Sequence, residues 1–419
     1  MHLFHQNSAF SRVTGLAAQR PVHSAFAWLH GNPKTIMDWQ MDLVVIPAPP
    51  FGEAARSEWL AARFAEIGLS AIETDAVGNV FGYLPSPHLS PESTGPVVVL
   101  SAHLDTVFPV QTPLHPILDG DLLTAPGACD NGAGVVGMLA LAQALVQAHV
   151  ELAAPLIFMG NVGEEGEGDL RGVRCLYEKK ALAGRIAAHI VLDGAGAESA
   201  VTQALGSRRY QITVTGPGGH SFTDAGTPNP ITALASALAI LAQTPLPDEP
   251  RTTLNLGTIH GGTSVNSIPE SATAAVDFRS TEAEPLERLE TALRSAVEEA
   301  VEYWNAQAKP DVARNRGLLA FTMEKIGDRP AAQLAADSPL LEMLRAVDRH
   351  LGVRTDLLLG STDANIPLSL GVPALSMGAG GDGGGAHTQS EWYSARDRET
   401  GLRRVLLLTL AMTEWAAEQ

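Results

Sequence analysis

The chain has 419 residues, more than a single compact core usually takes in, so two domains are expected. Hydrophobic residues make up 45% and charged residues 18%, a globular rather than a disordered composition. A formal net charge of -18 repels nucleic acid and anionic membrane, which sets both aside as partners. Cys129 and Cys175 are too few for a disulfide framework and suit a reducing cytoplasm. The N-terminal stretch is polar and interrupted, without the apolar core of a signal peptide. No window approaches about 18 unbroken apolar residues, so no membrane span is expected.

Residues up to Gln19 have weak patterning and read as a loose extension or a private helix. Short helices are expected over Val22–Leu29 and Thr35–Val45, followed by a turn rich in proline and glycine at Ile46–Glu53. Ala54–Ile67 is amphipathic, with Trp59, Leu60, Phe64 and Ile67 on one stripe and Gly68 as the stop. Ala71–Thr74 and Val80–Tyr83 read as strands. Pro96–Ala102 (PVVVLSA) is an unbroken apolar, β-branched run, the mark of a central strand covered on both faces. Turn-rich sequence leads on to Asp130. The pattern then alternates: helix Gly134–Gln147, strand Leu156–Met159, helix Leu170–Lys179, strand His189–Leu192. That order predicts an α/β domain with a mostly parallel sheet flanked by helices.

Near Gly206 the texture changes. Arg209–Thr215 alternates with period two, a helix is expected over Pro230–Gln243, and strands over Leu254–His260 and Ala272–Arg279. Glu282–Asn305 carries Leu286, Leu289, Leu293, Val297 and Val301 on one face of a long helix. This block predicts an inserted α+β domain, an antiparallel sheet with helices on one side. From Phe321 the α/β pattern resumes, with helices at Pro339–Leu351, Asp363–Leu370 and Ala395–Glu418 and strands at Asp356–Leu359 and Ala374–Met377. The expected division is 1–206 and 319–419 for the first domain and 207–318 for the insertion.

Seven acidic or imidazole groups follow predicted strands or sit in glycine-rich loops: His103, Asp105, Asp130, Glu164, Glu165, Asp193 and His387. In an open parallel sheet the carboxyl ends of the strands converge on one edge. Five of the seven can therefore meet around a pair of metal ions. Mixed imidazole and carboxylate ligands suit zinc, with cobalt or manganese as substitutes. Each residue also has an ordinary reading: His103 as a hydrogen-bonded histidine, His387 as a loop histidine, Asp130 and Asp193 as turn aspartates, Glu164-Glu165 as a solvated loop. Their coincidence on one predicted edge weighs against those readings.

Several motifs occur in order: His103-Leu104-Asp105-Thr106-Val107, Gly127-Ala128-Cys129-Asp130, Gly163-Glu164-Glu165-Gly166, Val191-Leu192-Asp193, Gly218-Gly219-His220-Ser221, Val265-Asn266-Ser267-Ile268-Pro269, Asp277-Phe278-Arg279 and His387. With them the chain, from Trp39 to its end, resembles the dinuclear zinc metallopeptidases that include glutamate carboxypeptidase, aminoacylase, succinyl-diaminopimelate desuccinylase and peptidase T. The resemblance implies His103 and Asp193 on one zinc, Glu165 and His387 on the other, and Asp130 bridging. It implies that Asp105 accepts a hydrogen bond from His103, and that Glu164 is the general base on a metal-bridging water. A cis peptide after the bridging aspartate, here Asp130-Asn131, is also implied. Asn131-Gly132 departs from the Asp or Met, then Lys, frequent at this point in relatives. Cys129 beside the bridge is expected to point away from the metals.

The resemblance further implies a lid domain that forms a homodimer. His220 would stabilise the oxyanion, often in the partner subunit's site. Asn266 and Arg279 would hold a substrate carboxylate, a task that a bidentate guanidinium suits. Ser361 and Thr362 would line the same pocket. A carboxylate grip favours an exopeptidase or N-acyl amino acid hydrolase acting on a small substrate. A bimetallic phosphoesterase fits the metals but not the carboxylate grip, and no phosphate-cradling loop precedes a helix. A catalytically silent, metal-stabilised dimer that binds metabolites is the reading from another class. Retention of Glu164 and every ligand speaks against it.

Overall fold

The computed structural model describes residues 2–84, 94–310 and 316–419, which separate into two compact units: 1–204 with 333–419, and 205–332. The chain opens with three helices, α1 (His2–Ala17), α2 (Arg20–Gly31) and α3 (Pro33–Val44). The weakly patterned extension is thus helical. Next comes α4 (Ala54–Ile67), closed by Gly68 at φ 91°, the left-handed conformation that glycine adopts without a Cβ clash.

The strands β1 (Ser70–Thr74), β2 (Val80–Tyr83) and β3 (Val97–His103) follow, then a short hairpin of β4 (Ile117–Asp119) and β5 (Leu122–Thr124) in the segment read as turns. Helix α5 (Gly132–Gln147), strand β6 (Leu156–Asn161), helices α6 (Arg171–Glu178) and α7 (Lys180–Ala183), and strands β7 (Ile186–Leu192) and β8 (Ser199–Ala204) complete the first pass. All seven residues of β3 are buried, as its apolar run predicts. A Cβ at Gly160 in β6 would collide with Leu60, so glycine here lets α4 close on the sheet.

The second unit holds β9 (Gly206–Thr215), β10 (Gly219–His220), α8 (Pro230–Leu241), β11 (Thr252–Gly261), β12 (Ser267–Ile268), β13 (Ser271–Ser280), α9 (Ala283–Ala306) and β14 (Ala320–Arg329). Its four-stranded sheet runs β11-β13-β9-β14, antiparallel throughout. Alternate residues Tyr210, Ile212, Val214, Ala274, Val276 and Phe278 turn one face toward Leu234 and Leu238 of α8 and Leu289, Leu293 and Val297 of α9. Asn229 caps α8, accepting the Ile231 N–H at 2.9 Å. The insertion is longer than its sequence suggests. Strand β14 pairs with β9 along its length, so the return to the first domain comes after residue 332 rather than at 319.

The chain then adds β15 (Ala332–Gln333), α10 (Pro339–Leu351), β16 (Asp356–Gly360), α11 (Asn365–Ser369), β17 (Ala374–Met377), β18 (Asp382–Gly384), β19 (Trp392–Ser394) and α12 (Arg398–Ala416). The main sheet orders β1-β2-β6-β3-β7-β17-β8-β15, with β16 on β8. Its centre is parallel, and β3 lies between β6 and β7. The fold is thus a mostly parallel α/β unit carrying an inserted antiparallel one. No helix among the described residues is long and apolar enough to cross a membrane.

Candidate metal centre

Because β6, β3 and β7 are parallel neighbours, their carboxyl ends emerge side by side. His103 is the last residue of β3, Glu164 and Glu165 follow β6, and Asp193 follows β7. Asp130 arrives from another direction, immediately before α5. The Asn131 side chain caps that helix, accepting from Gly134 N at 3.1 Å and from Gly194 N at 3.0 Å and donating to Leu192 O at 2.9 Å. Asn131 thereby ties the Asp130 loop to the end of β7 beside Asp193. The Asp130-Asn131 peptide is cis, as the resemblance implies. His387 comes from the loop between β18 and β19.

These residues form two groups that share Asp130: His103, Asp130 and Asp193, and Asp130, Glu165 and His387, each with donor atoms within 4.8 Å of one another. Asp130 offers one oxygen to each group. Its Oδ1 stands 3.1 Å from His103 Nε2 and its Oδ2 3.1 Å from His387 Nε2. Asp193 Oδ1 is 3.7 Å from His103 Nε2, and Glu165 Oε1 is 3.1 Å from His387 Nε2.

The electrostatics fit a site built for positive charge. Burial, and then the Asp130 charge, push Glu165 up to about 7. Burial would lower His103, but Asp105, Asp130 and Asp193 overcome it and hold the imidazole well above its ordinary value. The Asp130 hydrogen bond and the Glu165 charge raise His387 to about 9. Two imidazoles and three carboxylates, one of them shared, are the mixed N/O donor set of zinc, cobalt or manganese. Cys129 packs among Val44, Ala128 and Tyr393 with its thiol pushed up to about 12, outside both groups.

Asp105 differs from expectation in its partner. His103 Nδ1 lies 3.1 Å from the main-chain oxygen of Asp105 and 3.6 Å from its carboxylate. The carboxylate instead accepts Glu164 N–H at 3.0 Å and Glu165 N–H at 2.7 Å. Two amides held by one anion leave the ring nitrogen the nearer carbonyl. Glu164 is 6% exposed beside this anchor.

Of two further carboxylates near the centre, one escapes sequence reading and the other, Asp363, was read only as part of a pocket-lining loop. Glu391, wholly buried, accepts Cys129 N–H and Asp130 N–H at 2.7 Å each and Gly127 N–H at 2.9 Å. Asp363, also wholly buried and raised to about 7 by its burial, accepts from Asn161 Nδ2 at 2.7 Å and lies in the field of His103 and Asp193. The only signal for Glu391 was its place four residues after His387. Asp363 adjoins Ser361 and Thr362. Ser361 is half-buried, whereas Thr362 is buried and its hydroxyl accepts the Ala364 N–H at 3.2 Å, a local turn before α11.

The second unit separates the remaining candidates. Strands β10 and β12 bring His220 opposite Ser267, and Ser221 N–H donates to Asn266 O at 3.0 Å, so His220 and Asn266 are neighbours. His220 Nδ1 accepts from Phe222 N at 3.2 Å and Thr223 N at 3.3 Å, which leaves the proton of the neutral ring on Nε2. Arg279 sits toward the far end of β13, eight residues beyond Ser271 or roughly 26 Å at strand rise. Within one chain, then, Arg279 and Asn266 do not stand beside each other. Asp277 accepts from Arg279 Nε at 2.7 Å and from Arg209 Nε at 3.1 Å, which fixes the guanidinium plane.

Comparison with known proteins identifies the family and the fold. Residues 99–411 match peptidase family M20/M25/M40. A succinyl-diaminopimelate desuccinylase of Xanthomonas euvesicatoria is 26% identical over 317 residues, covering 70% of this chain and 82% of the relative. Among solved structures, the aminopeptidase PepT of Bacillus cereus superposes with a TM-score of 0.69 at 20% identity, covering 91% of this chain and 99% of its own. A dinuclear metal-binding peptidase of the M20 family from Bacillus subtilis gives 0.62 at 17% identity, covering 90% and 97%. At these identities the solved structures establish the fold.

Proposed function

Since the chain belongs to peptidase family M20/M25/M40 and is a hydrolase of that family, we propose that it cleaves the amide bond of a small peptide or N-acyl amino acid bearing a free carboxylate. The observation that carries this reading is Asp130, whose two oxygens each stand 3.1 Å from a different histidine of the two ligand groups. His103 and Asp193 would hold one divalent cation, Glu165 and His387 the other, with Asp130 shared. Two zinc ions are the fit favoured by the donor set, and cobalt or manganese would also be accepted. When bound, such ions polarise the scissile carbonyl and acidify water.

The remaining chemistry falls to side chains. Glu164 takes the proton of the attacking water as its oxygen bonds to the carbonyl carbon. It then gives that proton to the amine nitrogen as the C–N bond breaks. Asp105 holds the Glu164 and Glu165 amides, so base and ligand keep their relative aim. His220, with its proton on Nε2, donates to the developing oxyanion. Arg279, Asn266, Ser361 and Thr362 bind the substrate, Arg279 through its carboxylate.

The separation of Arg279 from Asn266 along β13 supports a homodimer, formed through the 205–332 unit, in which His220 and Asn266 serve the other copy. Unpaired Cys129 and Cys175 support a cytoplasmic location. A panel of dipeptides, tripeptides and N-acyl amino acids, assayed with metal analysis, tests the reading. Turnover that disappears with chelator and returns with zinc is expected. Full zinc occupancy with no amide cleaved would sink it.

A further inference from the structure

Arg56 belongs to no motif above, yet it is a cation held at 1% exposure inside the first unit. It sits on α4 on the buried stripe of Leu60, Phe64 and Ile67. Its Nε donates to Ile46 O at 2.9 Å and its Nη1 to Leu104 O at 2.8 Å. Leu104 is the residue between His103 and Asp105, so the guanidinium grips the main chain of that motif directly. A Cβ on Gly127 would lie 3.7 Å from Nη2, which places the third nitrogen against the loop that leads to Asp130.

The charges that act on Arg56 are Asp105 and Glu391, and both carboxylates are 0% exposed. Each of them anchors main chain. Asp105 holds the amides of Glu164 and Glu165, and Glu391 holds those of Gly127, Cys129 and Asp130. Main-chain amide bonds to a carboxylate are roughly twice as strong as those to a neutral acceptor, so the two side chains fix these segments firmly. A guanidinium keeps its proton even when buried. Burial draws Arg56 down to about 10, and it remains charged at neutral pH.

We infer that Arg56 is a positioning residue: with Asp105 and Glu391 it forms a buried brace that holds the segments carrying His103, Asp130 and Glu164-Glu165 at ligand spacing, so that metal affinity depends on a side chain that touches no metal. The inference rests on the two-cation reading above. It differs from a role in folding alone, which would leave the affinity of the folded protein unchanged.

Zinc affinity, measured by competition with a chromogenic chelator, and the visible spectrum of the cobalt(II)-loaded protein test it on the full chain. The variants are R56M, R56K and E391Q, each with its metal-free fold checked by near-ultraviolet circular dichroism. R56M and E391Q are expected to bind at least one zinc about 10- to 100-fold more weakly and to shift the cobalt bands, with partial rescue in R56K. Wild-type affinity and spectrum in folded R56M and E391Q overturn the inference. If R56M does not fold, E391Q and R56K decide on the same readouts. Loss of the metal-free fold in those two as well would also overturn it, because the brace would then serve the fold and not the site. A wild-type protein that binds no zinc would instead remove the two-cation reading itself.

Discussion

The imidazole of His387 stands 3.1 Å from the carboxylate of Asp130, across 257 residues of chain. The two histidines around that carboxylate differ sharply in setting. His103 is 1% exposed and His387 is 56% exposed. The His103 half is walled by the sheet, whereas the His387 half opens to solvent. The two cation sites are therefore expected to differ in how fast they exchange. Under a weak chelator one metal should leave first, and His387→Ala should retain close to one metal per chain where the wild type holds two. Elemental analysis after graded dialysis reads both. Simultaneous loss of both ions would contradict it.

Glu164→Gln keeps the shape of the side chain and removes the proposed base. Turnover of the best substrate is expected to fall by about 10²- to 10⁴-fold in kcat, the span usual for a general acid–base group. Metal content and KM should stay close to wild type. A variant that loses metal along with rate would reassign Glu164 to ligand binding.

His189 gives a pH dependence that does not involve the metal centre. It is wholly buried in β7, with Tyr177 Oη 3.1 Å from Nδ1 and Ser101 Oγ 2.9 Å from Nε2. Burial pushes its imidazole down to about 3, so it is neutral in the folded protein. The unfolded chain takes up the proton near the ordinary value of about 6.5. The stability at stake is fully present above about pH 6.5 and drains away as pH falls toward 3. Between pH 6.5 and 5 the wild type should lose roughly 2 kcal/mol more than His189→Gln. Urea unfolding at the two pH values measures the difference, and equal slopes would show that His189 is not buried neutral.

Arg404 is fully buried and donates from Nε to Asp348 Oδ1 at 2.6 Å, tying α12 to α10. Thr355 Oγ1 donates to the other oxygen at 2.7 Å. Removing one member strands the other charge in the interior, so Arg404→Met is expected to cost about 3–5 kcal/mol in denaturant unfolding. Replacing both, Asp348→Leu with Arg404→Met, should recover most of that loss. A single variant as stable as wild type would mean that the pair is solvated.

Legibility in the sequence followed how local the physics is. Strand β3 announced itself because a strand covered on both faces needs side chains that are apolar without interruption. Helix α10 was readable end to end from its periodicity and the glycine after it. Strand β14 was not, because its residues are largely exposed, and only its pairing with β9 makes them a strand. The candidate ligand residues stood out through their motifs, but the anchors did not. Nothing local to Glu391 says that it will accept three amides more than 260 residues earlier in the chain. Arg56 did leave a trace, a charged residue on a stripe otherwise apolar. That is the pattern to look for when a buried cation braces a site. Asn266 and Arg279 were named from motifs, which do not say how far apart the course of β13 sets them. Adjacency of roles in a family does not imply adjacency in one chain when a strand of ten residues lies between.

Ser207 and Arg329, near the two ends of the inserted unit, are cross-strand partners on β9 and β14. The unit thus leaves and rejoins its host at neighbouring seams and carries a core of its own. Such a cassette can be swapped among relatives without lengthening or tearing the flanking chain. Recombination at those seams exchanges the inserted unit as a module and leaves the unit with the candidate metal centre intact. Chimaeras joined at those seams are a direct route to mapping which half chooses the substrate.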